Sequence, residues 1–130
     1  MSALNKQVGG DHYKRMAMQP MVFAVKYDLN AIDTKILKYA SRHKFKNGVE
    51  DIDKVSHTCE LAYELEFKEL EFVGTRNYYP IDEYIKINKI DGLEREILEE
   101  LLSYRMHGDS YSLVLIKVCC NQIKEQQYEK

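Results

Sequence analysis

Several common signatures are missing from this sequence of 130 residues, and each absence removes a class of protein. Its three cysteines form no CxxC pair, and two of them, Cys119 and Cys120, are neighbours that do not easily bond to each other. A disulfide framework is therefore not expected, and a reducing compartment fits best. No apolar run approaches the roughly 20 residues that span a bilayer, and the first residues are polar. We expect a soluble, cytoplasmic protein with no membrane partner.

A strong excess of charge of one sign is also absent. The chain carries 19 Lys and Arg against 21 Asp and Glu, a formal net charge of −2. Proteins that bind nucleic acids usually show an excess of cations over the whole domain, so the composition gives no nucleic-acid signal. With 45% hydrophobic residues, the chain is long enough for one compact domain over residues 1–130 and too short for two full cores.

Apolar residues recur at three-to-four spacing along most of the chain, and strand-like alternation is hardly found. Pro20 is typical of the first residue of a helix, and Asn30 of a helix cap that Asp33 follows in a variant capping box. Asn47-Gly48 indicates a helix end. We predict an all-α domain whose third helix ends near Leu70.

Two stretches of the chain resemble each other. QPMVFAVKYDLN and YPIDEYIKINKID both open with Pro, carry Lys six residues later and end at a capping candidate, and from there the match needs no further gap. We predict two similar three-helix units, about residues 20–70 and 80–127, which pack their apolar stripes together. Internal duplication and chance similarity of two amphipathic hairpins are both open. Part of the apolar stripes should stay exposed after the units pack. This exposed surface, with Tyr78, Tyr79 and Tyr84 nearby, predicts a symmetric homodimer.

Cations are concentrated in the segment LKYASRHKFKNGVEDIDK. On a helix, Lys38 and Arg42 lie one turn apart on one face, which suits the phosphates of a nucleotide because Arg can hold two oxygens at once. Lys46 and Lys54 follow, and Tyr39 is expected to pack beneath the cations. The second unit has acidic or small residues at the matched positions, so this surface occurs once. A solvated basic face is the alternative.

Acidic residues follow the turn at Gly48. Glu50 and Asp51 could hold a hydrated Mg²⁺ ion beside the phosphates, which makes them candidate catalytic and metal-binding residues. Acids in a first helical turn are also commonly found only because they complement the helix dipole. The sequence has no GxxxxGK[ST], GxGxxG or kinase-type catalytic loop, so the usual phosphate-binding motifs are absent.

The remaining candidates are less specific. His12 and Tyr13 precede the first helix and could fold over a ligand, although a packed N-terminal arm explains them equally well. His43 and His57 lack partners at a zinc-like spacing, so we interpret them as core or surface residues. The glutamates between residues 60 and 71 indicate a solvated face. Their ExxE spacing superficially resembles all-helical nucleotide pyrophosphohydrolases, but the order of the acidic pairs is reversed.

Between residues 11 and 65, the ordered segments GDHYK, QPMVFAVKYDLN and ILKYASRHKFKNGVEDIDKV resemble a family of nucleotide kinase-like proteins of bacteriophages. The second half of the chain departs from the family pattern. The resemblance implies a phage protein, acting in the cytoplasm of the infected bacterium, that transfers a phosphoryl group to deoxynucleoside monophosphates without a P-loop. ATP would be the donor and Mg²⁺ the cofactor. The alternative is a noncatalytic protein that sequesters a nucleotide signal of the host defence. The family motif falls on His12, Tyr13, Lys14, Lys38, Tyr39, Arg42, Lys46, Glu50, Asp51 and Lys54.

Overall fold

The computed structural model describes residues 16–74 and 79–129. These ranges contain six α-helices and no strand, which confirms the all-α prediction. A 3₁₀ turn, His43–Phe45, follows α2, and the π-helical segments Glu64–Glu69 and Lys124–Tyr128 extend α3 and α6. The α-helices are α1 (Pro20–Lys26), α2 (Ala31–Arg42), α3 (Val49–Tyr63), α4 (Ile81–Ile87), α5 (Gly92–His107) and α6 (Tyr111–Ile123).

Helix-start signals are confirmed in the first unit and only in part in the second. Pro20 is the first residue of α1, and the side chain of Asn30 accepts a hydrogen bond from the backbone N–H of Asp33 at 2.9 Å. Pro80 precedes α4 as its N-cap, and Asp91 makes no side-chain cap bond. Gly48, at φ 59°, takes the positive φ that favours glycine just before α3.

The two units share local geometry at a constant offset in sequence. Asp28 and Lys89, at matched positions after α1 and α4, both have φ 56°. The residue after each of them donates a backbone hydrogen bond to the carbonyl five residues earlier. Leu29 donates to Ala24 and Ile90 donates to Ile85, both at 2.9 Å. The predicted correspondence of the units is therefore present in the backbone. Their origin by duplication stays a prediction.

Buried side chains from both units form one hydrophobic cluster. Fully burying a side chain the size of Leu or Ile stabilises the folded state by about 1.5–3 kcal/mol. Tyr79 and Tyr84, which we expected beside an exposed dimer surface, are 3% and 0% exposed and belong to this core. They are therefore not available to a partner, and Tyr78 lies outside the described residues. The homodimer stays a prediction.

Helices α2 and α5 pack antiparallel, so that the N-terminal turn of each lies beside the C-terminal end of the other. Asp33, in the first turn of α2, contacts Arg105 in the last turn of α5, while Glu94, in the first turn of α5, contacts His43 just after α2. The two acids occupy matched positions, so the contacts follow an approximate two-fold relation between the units. Within residues 16–74 and 79–129, none of the helices combines the length and the apolar character needed to cross a bilayer.

Candidate functional site

The ring of Tyr39 lies among three cations from two helices. The centroid of the ring is 4.9 Å from Nζ of Lys38 and 4.8 Å from Cζ of Arg42, both on α2, and 5.1 Å from Nζ of Lys54 on α3. Contacts at this distance are attractive because a cation faces the negative side of the aromatic ring. We call Lys38, Tyr39, Arg42 and Lys54 the Tyr39 cluster. The sequence predicted that these four residues meet, and the structure places them together.

Arg42 and Asp51 form a buried ion pair inside this cluster. Nε of Arg42 donates to Oδ2 of Asp51 at 3.1 Å and Nη2 donates to Oδ1 at 3.2 Å, and the two residues are 5% and 0% exposed. We had expected Arg42 to face phosphates and Asp51 to face a metal ion at the surface. Instead, each already binds the other where water hardly reaches, because the Gly48 turn folds α3 back along α2.

The two carboxylates predicted to hold magnesium, Glu50 and Asp51, lie in different environments. Both oxygens of Asp51 accept bonds from Arg42, whereas the side chain of Glu50 is 67% exposed and lies 3.8 Å from Nζ of Lys54. In this arrangement Glu50 and Asp51 do not fit a shared Mg²⁺ ion, because only one of them is accessible to it. Across the part of the chain that the structure describes, no group of three or more His, Cys, Asp or Glu side chains could hold a metal ion.

Of the remaining predicted residues, Lys46 lies directly after the 3₁₀ turn, and three others fall outside the described ranges. Lys38 is half-buried and Lys46 is exposed, and neither forms an ion pair with a described residue. His12, Tyr13 and Lys14 lie outside the described residues. The accessible positive charge of the Tyr39 cluster therefore comes from Lys38 and Lys54.

A second polar cluster, which sequence reasoning missed, joins the end of α2 to the start of α5. Oε2 of Glu94 lies 2.8 Å from Nε2 of His43 and 3.4 Å from Nζ of Lys44, and Nδ1 of His43 lies 2.6 Å from the hydroxyl of Tyr128. Burial acts to raise the pKa of Glu94, but the hydrogen bond from His43, a backbone hydrogen bond and the charges of Lys44 and His43 lower it to about 2. Glu94 is thus ionised at neutral pH, and its carboxylate accepts the hydrogen bond from Nε2 of His43.

The matched cluster at the other end of these helices is built around Arg105. Its guanidinium donates to both oxygens of Asp33 at 2.9 and 3.1 Å, to both oxygens of Glu66 at 2.5 and 2.8 Å, and to the carbonyl of Val73 at 2.6 Å. All five N–H groups of the arginine are used. The hydroxyl of Tyr104 also donates to Glu66, at 3.0 Å. Glu66 is therefore not part of the solvated face that the sequence indicated, and this cluster joins the two units.

Acid should remove a stabilising contribution of Glu94. Its pKa is lowered from 4.5 to about 2 in the folded protein, so its contribution is complete above about pH 4.5 and is lost as the pH falls towards 2. A shift of this size corresponds to about 3 kcal/mol. We expect Glu94→Gln to lower the free energy of unfolding at pH 7 and to flatten its loss between pH 5 and pH 3. Urea denaturation at several pH values measures this.

Glu99→Gln is the control for Glu94→Gln, because Glu99 is an exposed acid on the same helix. Its variant should keep the pH profile of the wild type. A Glu94→Gln profile parallel to that of the wild type would contradict the prediction.

One signal in the sequence could have revealed both missed clusters. Asp33 and Glu94 each stand on the apolar stripe of a helix, three and four residues before buried Ile and Leu residues. A carboxylate on such a face is almost always paired when buried. We had assigned Asp33 to a capping box, but its carboxylate binds Arg105 and only its backbone N–H takes part in the cap.

No family model, no curated protein and no solved structure matches the chain. The resemblance to phage nucleotide kinase-like proteins therefore rests on the motif residues alone.

Proposed function

We propose that this protein binds the phosphate groups of a nucleotide at the Tyr39 cluster, between α2 and α3. The observation that supports the proposal is the convergence of Lys38, Arg42 and Lys54 on one tyrosine ring, each within about 5 Å of its centroid. The motif of the phage family falls on the same residues, and it gives the expected role, which is nucleotide metabolism in an infected bacterium.

Charge at the cluster favours an anionic ligand. Asp51 compensates Arg42 inside the protein, and Glu50 lies near Lys54 at 3.8 Å, where both side chains are solvated. Such an exposed pair contributes little, so Lys54 can turn towards a ligand at small cost. Lys38 has no acidic partner among the described residues. A phosphate group placed between Lys38 and Lys54 would relieve the repulsion of these like charges.

This geometry supports binding more directly than catalysis. Phosphoryl transfer generally needs a metal ion at the phosphates, and Asp51, the candidate for holding it, is buried against Arg42. In our proposal the role of Asp51 is to hold Arg42 beside Tyr39, and the two lysines contact the ligand. This favours the noncatalytic alternative, in which the protein sequesters a nucleotide.

Lys38→Ala and Lys54→Ala should each weaken nucleotide binding by about tenfold or more, because a hydrogen bond from a charged donor contributes about 1.5–3 kcal/mol. Binding of nucleoside mono-, di- and triphosphates, measured by isothermal titration calorimetry with and without Mg²⁺, tests this. Inorganic tripolyphosphate separates recognition of the phosphates from recognition of the base.

The matched control is Lys86→Ala on α4, since Lys86 is exposed and forms no ion pair within the described ranges. It should change the dissociation constant by less than about twofold. If all three substitutions have the same small effect, the cluster is only a solvated basic face and the proposal is wrong.

The family resemblance extends the proposal to phosphoryl transfer from ATP. Purified protein with ATP and Mg²⁺ would then convert at least one deoxynucleoside monophosphate to its diphosphate, which chromatography of the products detects. Tight binding without any diphosphate would favour the sequestering protein over the kinase.

A further inference from the structure

The outer face of α5 and α6 matches the outer face of α2 and α3 in position and opposes it in charge. At matched positions, Glu96 and Glu99 on α5 stand where Lys35 and Lys38 stand on α2. A groove of about 370 Å³ opens on this acidic face. It is lined by Glu96, Glu99, Glu100, Leu115, Val118, Cys119 and Gln122.

The wall of the groove on α6 is apolar. Leu115 and Val118 take the positions that Lys54 and His57 have on α3, and Val118 is 44% exposed. The exposed Val114 continues this stripe along α6. An apolar wall opposite carboxylates suits lysine side chains, whose methylene stems pack on apolar surface while the ammonium groups reach the acids.

We propose that this groove docks the basic α2–α3 face of a second copy of the chain. Both faces are built on helix pairs of the same relative arrangement, and their charges are inverted at matched positions, so each face is complementary to the other. A symmetric dimer through either face alone would oppose like charges across its centre, which is unfavourable. The contact is therefore head to tail, and it joins copies into a ring or an open chain.

This inference does not rest on the proposed nucleotide function, because docking needs only the positive charge of the lysines. The two ideas do share Lys38, so the experiment must separate them. Substitutions on the acidic face do this, since they leave the Tyr39 cluster intact.

Two double variants test the docking. Lys35→Glu with Lys38→Glu makes both faces acidic, and Glu96→Lys with Glu99→Lys makes both faces basic. Each double variant alone should sediment as a 15.3 kDa monomer at about 50 mM salt, because it lacks one of the two faces. An equimolar mixture should give a one-to-one complex of twice that mass, since each variant keeps the face that the other has lost. The wild type should show a mass that rises with concentration.

Salt and folding supply the controls. At about 0.5 M salt the complex and the wild-type assemblies should dissociate, because charges at this ionic strength are screened beyond a few ångströms. Circular dichroism checks that both variants are folded, because Glu99→Lys replaces an exposed ion pair with Arg95 by two like charges at i,i+4 spacing. Nucleotide binding by the Glu96→Lys/Glu99→Lys variant should be at least as tight as that of the wild type if the proposed function holds, because no second copy then competes for Lys38.

The result that would overturn the inference is a mixture in which both variants remain at 15.3 kDa. A wild type that stays monomeric at low salt would overturn it as well, and so would association of either double variant alone to the same extent as the wild type.

Discussion

Arg105→Ala should lower the free energy of unfolding by about 3–5 kcal/mol. Arg105 is 2% exposed and holds two acids, Asp33 at 1% exposure and Glu66, so its removal leaves a buried carboxylate without its cation. The same substitution also frees the carbonyl of Val73. A typical small domain has only about 5–15 kcal/mol of stability, so the variant should melt far below the wild type.

Arg95→Ala is the matched control for Arg105→Ala, because Arg95 is on the same helix and pairs with Glu99 at an exposed site. It should change the free energy of unfolding by less than about 1 kcal/mol. Urea denaturation followed by circular dichroism measures both variants. If Arg105→Ala costs no more than this control, then the cluster does not hold the two units together.

Local signals in the sequence predicted much of the fold. Pro20 and Asn30 mark helix starts because each residue type has a backbone or side-chain preference that acts within a few residues. Apolar spacing predicted which faces are buried, as for Ile36 and Ala40. The sequence also predicts the similarity of the two units, but it pairs Pro20 with Pro80, whereas the structure pairs Pro20 with Ile81.

Long-range contacts could not be predicted in the same way. The partner of Asp33 is Arg105, which lies in the other unit and is brought near only by the antiparallel packing of α2 and α5. The contact of Lys38 and Lys54 with Tyr39 could be predicted from the sequence, because a short turn at Gly48 joins their helices. The burial of Arg42 could not be predicted, because it depends on how closely α2 and α3 pack around its side chain.

The two units have a similar backbone and core but differ in the residues on their outer surfaces. Core positions such as Val55 and Ile116 stay apolar in both units, whereas the outer positions exchange Lys38 for Glu99. Surface residues can diverge in this way because exposed substitutions usually change stability by less than about 0.5 kcal/mol. A basic face for phosphates and an acidic face for docking can therefore occur on one small domain.

The interior of the Tyr39 cluster should prove as sensitive to substitution as Arg105. Arg42→Ala leaves the carboxylate of Asp51, which is 0% exposed, without the bidentate bonds at 3.1 and 3.2 Å, so we expect the free energy of unfolding to fall by about 3–5 kcal/mol. Asp51→Asn should also be destabilising, because it removes the charge that compensates Arg42. Loss of activity in an Asp51 variant would then not by itself identify a catalytic residue.

A double-mutant cycle with Arg42→Leu and Asp51→Leu measures the pair directly. Removing both charges avoids a lone buried ion, so the double variant should be less destabilised than the two single variants combined, by more than about 1 kcal/mol. Asp53→Asn is the control, since Asp53 lies on the same helix and pairs with Lys124 at the surface. An accessible Arg42 that faces phosphates, as the sequence predicts, would give an Arg42→Ala effect on stability as small as this control. With the buried pair, Arg42→Ala should instead lower the free energy of unfolding by several kcal/mol more than Asp53→Asn does. Substitutions of Lys38 and Lys54 should leave stability nearly unchanged and reduce only nucleotide binding.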